Sequence, residues 1–276
     1  MKTLENRVAV ITGAGGGVGR CLATQLAASG CHLALVDINA EALQGTEAAV
    51  KAAARQVKVT QHCVDITDKE QMSALAAEVE RQHGGVNILI NNAGITIQKS
   101  FSTHSISDWE RMININIWGV LYGCHYFLDG LRRADEAHIV NMSSMSAFMG
   151  LPNQSSYCAT KSAVQGLSES LWAELADEGV GVTSVHPGAI KTDMIKATLA
   201  ESDNLAAAKQ NYEFAQRTGV TPEHAAERII DAIRHKRLRI RVGKDSVMVD
   251  LLKRLLPKAI HKPMLKVNRD QKAITE

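Results

Sequence analysis

From Val8 to Val242 the chain alternates short apolar runs with longer stretches of helical spacing, and that alternation leaves few architectures open. The runs occupy residues 8–11, 32–36, 57–59, 88–90, 138–140, 182–185 and 238–242, several of them flanked by Gly, Asp or Asn. Runs this short read as strands, and the periodic stretches between them read as crossover helices. Strands that alternate with helices pair in parallel and are covered on both faces, which predicts an α/β, doubly wound sheet of seven strands. A chain of 276 residues accommodates this as one large domain.

Local signals refine the division. Thr67-Asp68-Lys69-Glu70 and Ser107-Asp108-Trp109-Glu110 read as capping boxes, and Thr221-Pro222-Glu223 opens a helix with proline in its first position. Residues 189–220 lack a strand pattern and mix apolar with charged side chains, as a mobile helical lid would. Residues 1–243 therefore read as the folded domain with the lid inside it, and residues 244–276 as a basic amphipathic C-terminal extension.

Composition excludes several classes. With 45% hydrophobic and 22% charged residues the chain lies near the globular average, away from disordered and membrane-embedded proteins. Thirty-one Lys and Arg against 29 Asp and Glu leave +2, too little for a polyanion-binding field, so no nucleic-acid partner is expected. The five cysteines are scattered and form no Cys-x-x-Cys pair, which argues against a disulfide framework and a metal site. No apolar run reaches the ~20 residues of a spanning helix and no signal-peptide pattern opens the chain, so a cytoplasmic location is expected.

The segment Thr12-Gly13-Ala14-Gly15-Gly16-Gly17-Val18-Gly19 directly follows the first strand and opens a helix. Glycines there let the backbone turn sharply and approach a pyrophosphate, which then faces the amides at the helix N-terminus. Asp37 ends the second strand, at the spacing where a carboxylate reaches the adenosine ribose hydroxyls. A 2′-phosphate would meet that carboxylate as a like charge, and Ile38 beside it supplies no counter-ion, so NAD is expected over NADP. Arg20 is the one basic residue near enough to upset this preference.

Tyr157 and Lys161 stand four apart in a helical stretch and so share a face. A free phenol, with pKa ~10, is a poor base at neutral pH, but a neighbouring ammonium and a nicotinamide cation favour the phenolate. Ser144 lies thirteen residues before the tyrosine.

Taken together, Thr12-Gly13-x-x-x-Gly17-x-Gly19, Asn91-Asn92-Ala93-Gly94, Asn116 in Asn-Ile-Trp-Gly, Ser144, Tyr157 with Lys161, and Pro187-Gly188 occur in an order that resembles the short-chain dehydrogenase/reductase family over about residues 6–243. The resemblance implies a Rossmann sheet and a catalytic set of Asn116, Ser144, Tyr157 and Lys161. Tyr157 would be the general acid/base, Lys161 would bind the nicotinamide ribose and lower the tyrosine pKa, Ser144 would orient the substrate oxygen, and Asn116 would hold a water in a proton relay. It also implies that Asp65 lies near the adenine amine with Ile66 beside it. Asn92, Ala93 and Gly94, with Pro187 and Gly188, would line the cofactor, and Ile190 and Thr192 would touch its carboxamide. Asn114 could be confused with the catalytic asparagine, but only Asn116 closes the Asn-x-x-Gly pattern, at Gly119.

The expected activity is hydride transfer between NAD and a secondary alcohol or ketone. Two alternatives are an NAD-occupancy sensor of the same fold, and a membrane-peripheral dehydrogenase of a lipid, steroid or retinoid that uses the basic tail. The tail leucines interleaved with lysines fit packing on the parent domain or a neighbouring subunit better than contact with a membrane surface. The resemblance implies a homodimer or homotetramer. A modestly apolar small-molecule alcohol or ketone is expected from a lining of Ile95, Phe101, His104, Met145, Phe148, Leu151 and Asn153, with Met194, Ile195 and Tyr212 on the lid.

Overall fold

The computed structural model describes residues 1–54 and 56–273. In chain order it runs β1 (Val8–Thr12), α1 (Gly17–Ala28), β2 (His32–Asp37), α2 (Ala40–Ala53), β3 (Val59–Cys63), α3 (Lys69–His83), β4 (Ile88–Asn91) and α4 (Ile106–Ile113). It continues through α5 (Gly119–Arg133), β5 (Ala137–Met142), α6 (Ser155–Glu174), β6 (Val180–Pro187), α7 (Leu205–Thr218), α8 (Pro222–Arg234), β7 (Arg239–Val242), α9 (Lys244–Leu255) and α10 (Lys262–Ala273). The seven strands form one sheet in the order β3-β2-β1-β4-β5-β6-β7, and every pair is parallel. This is the doubly wound Rossmann arrangement that the alternation predicts.

Period-two geometry sends alternate residues of each strand to opposite faces. Ala9 and Ile11 of β1 join Leu22 and Leu26 of α1 and Ile229 and Ile233 of α8 in one core. Val8 and Val10 join Met72 and Val79 of α3, Val120, Phe127 and Leu131 of α5, and Val164 of α6 in the other. Because both faces are covered, all five residues of β1 are buried, which is why the central strands read as unbroken apolar runs. The strand order reverses between β1 and β4, so the crevice at their carboxyl ends is where such a sheet presents a site.

Three local expectations shift. The third strand spans Val59–Cys63 rather than 57–59: as an edge strand it needs only one apolar side, and its residues are half-buried or exposed except His62. The helix expected to start at Thr67 is capped by Asp68, which accepts from the Gln71 amide at 3.0 Å, because Thr67 is committed to the Asp65 carboxylate. The second capping box lies two residues earlier than expected, between Ser105 and Asp108. Asp108 fits it because the same carboxylate also pairs with Lys99 at 2.8 Å. Thr221 caps α8 with Pro222 at its start, as the sequence indicates.

The C-terminal helices lie against the chain's own body. Val249 and Ile260 are buried with Phe148 and Met149, and Met145, Leu151, Leu252 and Met264 pack around them. Among the described residues no helix is long and apolar enough to cross a membrane, and no cluster of three His, Cys, Asp or Glu side chains could hold a metal ion.

Candidate active site

At the end of β1 the chain enters the glycine loop in a conformation only glycine adopts readily: Gly13 has φ +65° and Gly17 φ +51°. A Cβ at Gly19 would overlap the Gly13 carbonyl, and one at Gly15 would sit 2.8 Å from Asp37 Oδ2. Gly16 is the N-cap of α1, which has no side-chain cap and no acidic residue in its first turn. Its first amides and the positive end of its dipole are left for an external anion. Val18 is buried in the core, so what it can offer such an anion is its backbone amide.

The loop is braced from the neighbouring strands. Thr12 Oγ1 accepts from the amides of Asn92 and Ala93 at 3.0 and 3.1 Å, and Asn92 Nδ2 donates to the carbonyls of Thr12 and Gly13 at 3.0 and 3.1 Å. Asn92 therefore clamps the β1 turn to the end of β4. Asp37 Oδ2 accepts from the Gly15 amide at 2.9 Å, and its Oδ1 accepts from Asn39 at 3.0 Å. Arg20 turns inward, donating to the Gly15 carbonyl at 2.6 Å and to Thr46 Oγ1 at 3.0 Å, so its guanidinium is committed to the loop. Ile38 is exposed. Asp65 accepts from Thr67, and Ile66 packs over Gly119 at the start of α5, where a Cβ would come within 2.5 Å of it.

The catalytic candidates come from three elements. Ser144 follows β5 and is buried, whereas Tyr157 and Lys161 project from the first turns of α6. Lys161 Nζ donates to the Met142 carbonyl at 2.8 Å and lies 5.7 Å from the centre of the Tyr157 ring. Asn116 is fully buried; its Oδ1 accepts from the Ile95 amide and its Nδ2 donates to the Ile95 carbonyl, both at 2.9 Å. Gly94 joins these groups: a Cβ there would be 3.1 Å from Asn116 Oδ1 and 3.2 Å from Lys161 Nζ. Asn114–Trp118 forms a π-helical turn between α4 and α5, a widening that often accompanies functional sites and that brings Asn116 onto Ile95. No residue pattern announces that turn.

Electrostatics within the chain run opposite to the expectation for the phenol. Burial raises the Tyr157 pKa above its ordinary value, and the hydrogen bond to Ser144 opposes this. Burial lowers Lys161 to about 8. Desolvation disfavours both charged forms, and the lysine is directed at the Met142 carbonyl instead of stabilising a phenolate outright. His186 is lowered to about 4 by burial and is neutral at ordinary pH; it bonds the Ser144 carbonyl at 3.0 Å and Ser184 Oγ at 2.9 Å.

The expected lining is partly revised. Phe148 is buried and stacks on His186 with ring centres 4.4 Å apart, and His104 is buried against Trp109, so both belong to the packed body. Phe101 is exposed and Asn153 bonds Gln271 at 2.9 Å. Met145, Leu151 and Ile95 remain half-buried beside the catalytic candidates. Ile190 forms a bridge to Val220, and Thr192 reaches over the glycine loop, its Cγ2 lying 3.4 Å from a Cβ built on Gly17.

The comparisons agree with this architecture. The profile of the short chain dehydrogenases matches residues 7–203. A Mycobacterium tuberculosis protein carrying the name SadH is 36% identical over 262 residues, covering 93% of each chain. Levodione reductase of Leifsonia aquatica is 33% identical over 227 residues, 80% of this chain and 85% of that relative. Among solved structures, a short chain dehydrogenase/reductase from Burkholderia phymatum in complex with NAD superimposes with a TM-score of 0.84 at 29% identity, over 92% of this chain and 95% of its own. The chain therefore belongs to the short-chain dehydrogenase/reductase family of oxidoreductases.

Proposed function

We propose that this chain is an NAD-dependent oxidoreductase that interconverts a secondary alcohol and a ketone, with Tyr157 as its general acid/base. The observation that carries the reading is the convergence of Asn116 and Lys161 on Gly94, with Tyr157 and Ser144 alongside, at the sheet edge where α1 opens uncapped. The residues fit a dinucleotide: the bare first turn of α1 suits the pyrophosphate, Asp37 the ribose hydroxyls, and Lys161 the second ribose. Asp65, Ile66, Asn92, Ala93, Gly94, Pro187, Gly188, Ile190 and Thr192 would complete the cradle, with Asn92 acting through the loop it clamps. When bound, NAD supplies the acceptor for the hydride that leaves the carbinol carbon.

The remaining work falls to the chain. Ser144 donates its hydroxyl to the substrate oxygen and holds it next to the phenol. Tyr157 takes the alcohol proton during oxidation and returns it during reduction. Burial raises its pKa, so a phenolate there draws on nearby positive charge, from Lys161 and from an oxidised nicotinamide when bound. Asn116, fixed by Ile95, frames the route by which Lys161 exchanges its proton with solvent. Arg20 is held inside the loop, which removes the nearest cation that could neutralise a 2′-phosphate and supports NAD over NADP.

Residues 1–243 carry this site, with 189–220 as its lid and 244–276 as an extension. The half-buried apolar residues beside Tyr157 suit a modestly apolar alcohol or ketone, and a relative named for reduction of a dione supports that class. Assembly as a homodimer or homotetramer and a cytoplasmic location complete the reading.

The test is NADH formation, followed by its near-ultraviolet absorbance, over secondary alcohols, vicinal diols, hydroxysteroids and retinols, with NADP run in parallel. Turnover of one class with NAD at least ~10-fold preferred is expected. Preference for NADP overturns the cofactor assignment, and silence with NADH binding intact favours an occupancy sensor.

A further inference from the structure

We propose that Asp245, in a helix beyond the last strand, is a positioning residue that sets the backbone of residues 187–192 and thereby the nicotinamide end of the cofactor site. The inference rests on the reading above, in which Ile190 and Thr192 lie beside the nicotinamide.

The loop after β6 has little regular structure of its own apart from the bridge between Ile190 and Val220. Groups from later in the chain hold it. The Val242 carbonyl accepts from the Gly188 amide at 2.8 Å, the Val220 amide donates to the Ala189 carbonyl at 3.0 Å, and Asp245 Oδ2 accepts from the Ala189 amide at 2.7 Å. The other carboxylate oxygen accepts from the Ser246 amide at 2.9 Å, so the first turn of α9 orients the group. Ser246, fully buried, donates its hydroxyl to the His186 carbonyl at 2.6 Å. Two consecutive residues of α9 therefore grip the chain on both sides of Pro187-Gly188.

The contact is close enough to dictate the residue it meets. A Cβ on Gly188 would fall on the Asp245 carboxylate, whose atoms are its three nearest neighbours. A carboxylate accepting an amide proton makes a charge-assisted bond, stronger than a neutral one. Farther along the same helix, Val249 is buried with Phe148 and Met149 in the segment that follows Ser144. The helix that carries Asp245 is thus anchored, through Val249, to the segment that follows Ser144. The extension joins the two sides of the site, and Asp245 is its point of contact with the cofactor loop.

The experiment is titration of wild type, Asp245→Asn and Asp245→Ala with NADH and, separately, with ADP-ribose, which carries the adenosine and pyrophosphate but no nicotinamide. Loss of one charge-assisted bond should weaken NADH by ~5–20-fold in Asp245→Ala, leave ADP-ribose within about twofold, and put Asp245→Asn, which keeps an acceptor oxygen, between them. Gly188→Ala should weaken NADH in the wild type yet add little to Asp245→Ala, since the group it collides with is gone. Equal weakening of both ligands, or of neither, overturns the proposal. A wild-type chain that binds neither ligand overturns instead the NAD reading on which it rests.

Discussion

The glycine loop after β1 and the loop after β6 both end at the carboxyl edge of the sheet, and they are held by opposite means. The first rests on backbone geometry that its own glycines permit, with two positive φ values, and on bonds to strand ends that flank it: the Gly15 amide to Asp37, Arg20 to the Gly15 carbonyl, and the Asn92 clamp on Thr12. The second is braced by side chains 56 and 60 residues downstream, Asp245 and Ser246. One rim depends on which residue types stand in the loop itself; the other depends on side chains carried in from the helix beyond the last strand. The first should therefore fail abruptly when a glycine is changed, and the second should yield gradually and respond to pH.

Gly19→Ala should do the most damage, because its Cβ overlaps a backbone carbonyl that cannot swing aside. A stability loss of ~2–4 kcal/mol by thermal unfolding, and NADH affinity reduced by at least ~100-fold, are expected. Retention of affinity would show that the backbone contact does not hold this rim.

The second rim contains a neutral buried imidazole. In the unfolded chain His186 takes up a proton near pH 6.5, but in the folded chain it does so only near 4. Its contribution to stability is thus complete above ~6.5 and is lost as pH falls toward 4, at up to about 1.4 kcal/mol per pH unit. Urea unfolding between pH 7 and 4 should show this slope together with those of His83 and His138, which burial lowers to about 4 and about 3, and His186→Gln should reduce it by one histidine's share. An unchanged slope would assign acid sensitivity elsewhere.

Smaller effects sharpen the comparison further. Asp37→Ala should relax discrimination against NADP by ~10-fold, as it removes a like charge together with the acceptor for the Gly15 amide; competitive titration of NADH and NADPH reads it. For Lys161 the sign is reversed relative to an ordinary paired lysine. Its folded pKa of about 8 lies below the unfolded value of 10.5, so wild-type stability rises with pH between these values. Lys161→Met should abolish turnover yet be more stable by ~1–2 kcal/mol below pH 8, the relief of a buried charge offset by the unpaired Met142 carbonyl. A destabilised Lys161→Met would contradict that account.

The same contrast explains what could be read from the residues. The sheet, its seven strands and the glycine loop are legible because fully buried parallel strands must be apolar and a tight turn must be glycine. Tyr157 and Lys161 are legible because helical spacing places them together. The edge strand β3 is misplaced by a search for apolar runs, since an edge needs apolar residues on one side only. Asp245 is hidden for a different reason: it lies in a segment that reads as a basic amphipathic tail, and its partner is an ordinary backbone amide. The π-helical turn at Asn116 carries no composition signal, although a buried asparagine in an apolar stretch hints that something must satisfy it. Phe148 misleads because an aromatic next to a catalytic serine suggests a pocket wall, whereas His186 is waiting to stack on it.

The central claim, that Tyr157 performs the proton transfer at a site whose cofactor cradle is built separately, is tested most directly by Tyr157→Phe on the best substrate, with turnover and NADH affinity measured on the same preparation. Removing only the phenolic oxygen should lower turnover by ~1,000-fold or more and leave the NADH dissociation constant within about threefold of wild type. Turnover retained within ~10-fold would contradict the claim and return the proton transfer to another group.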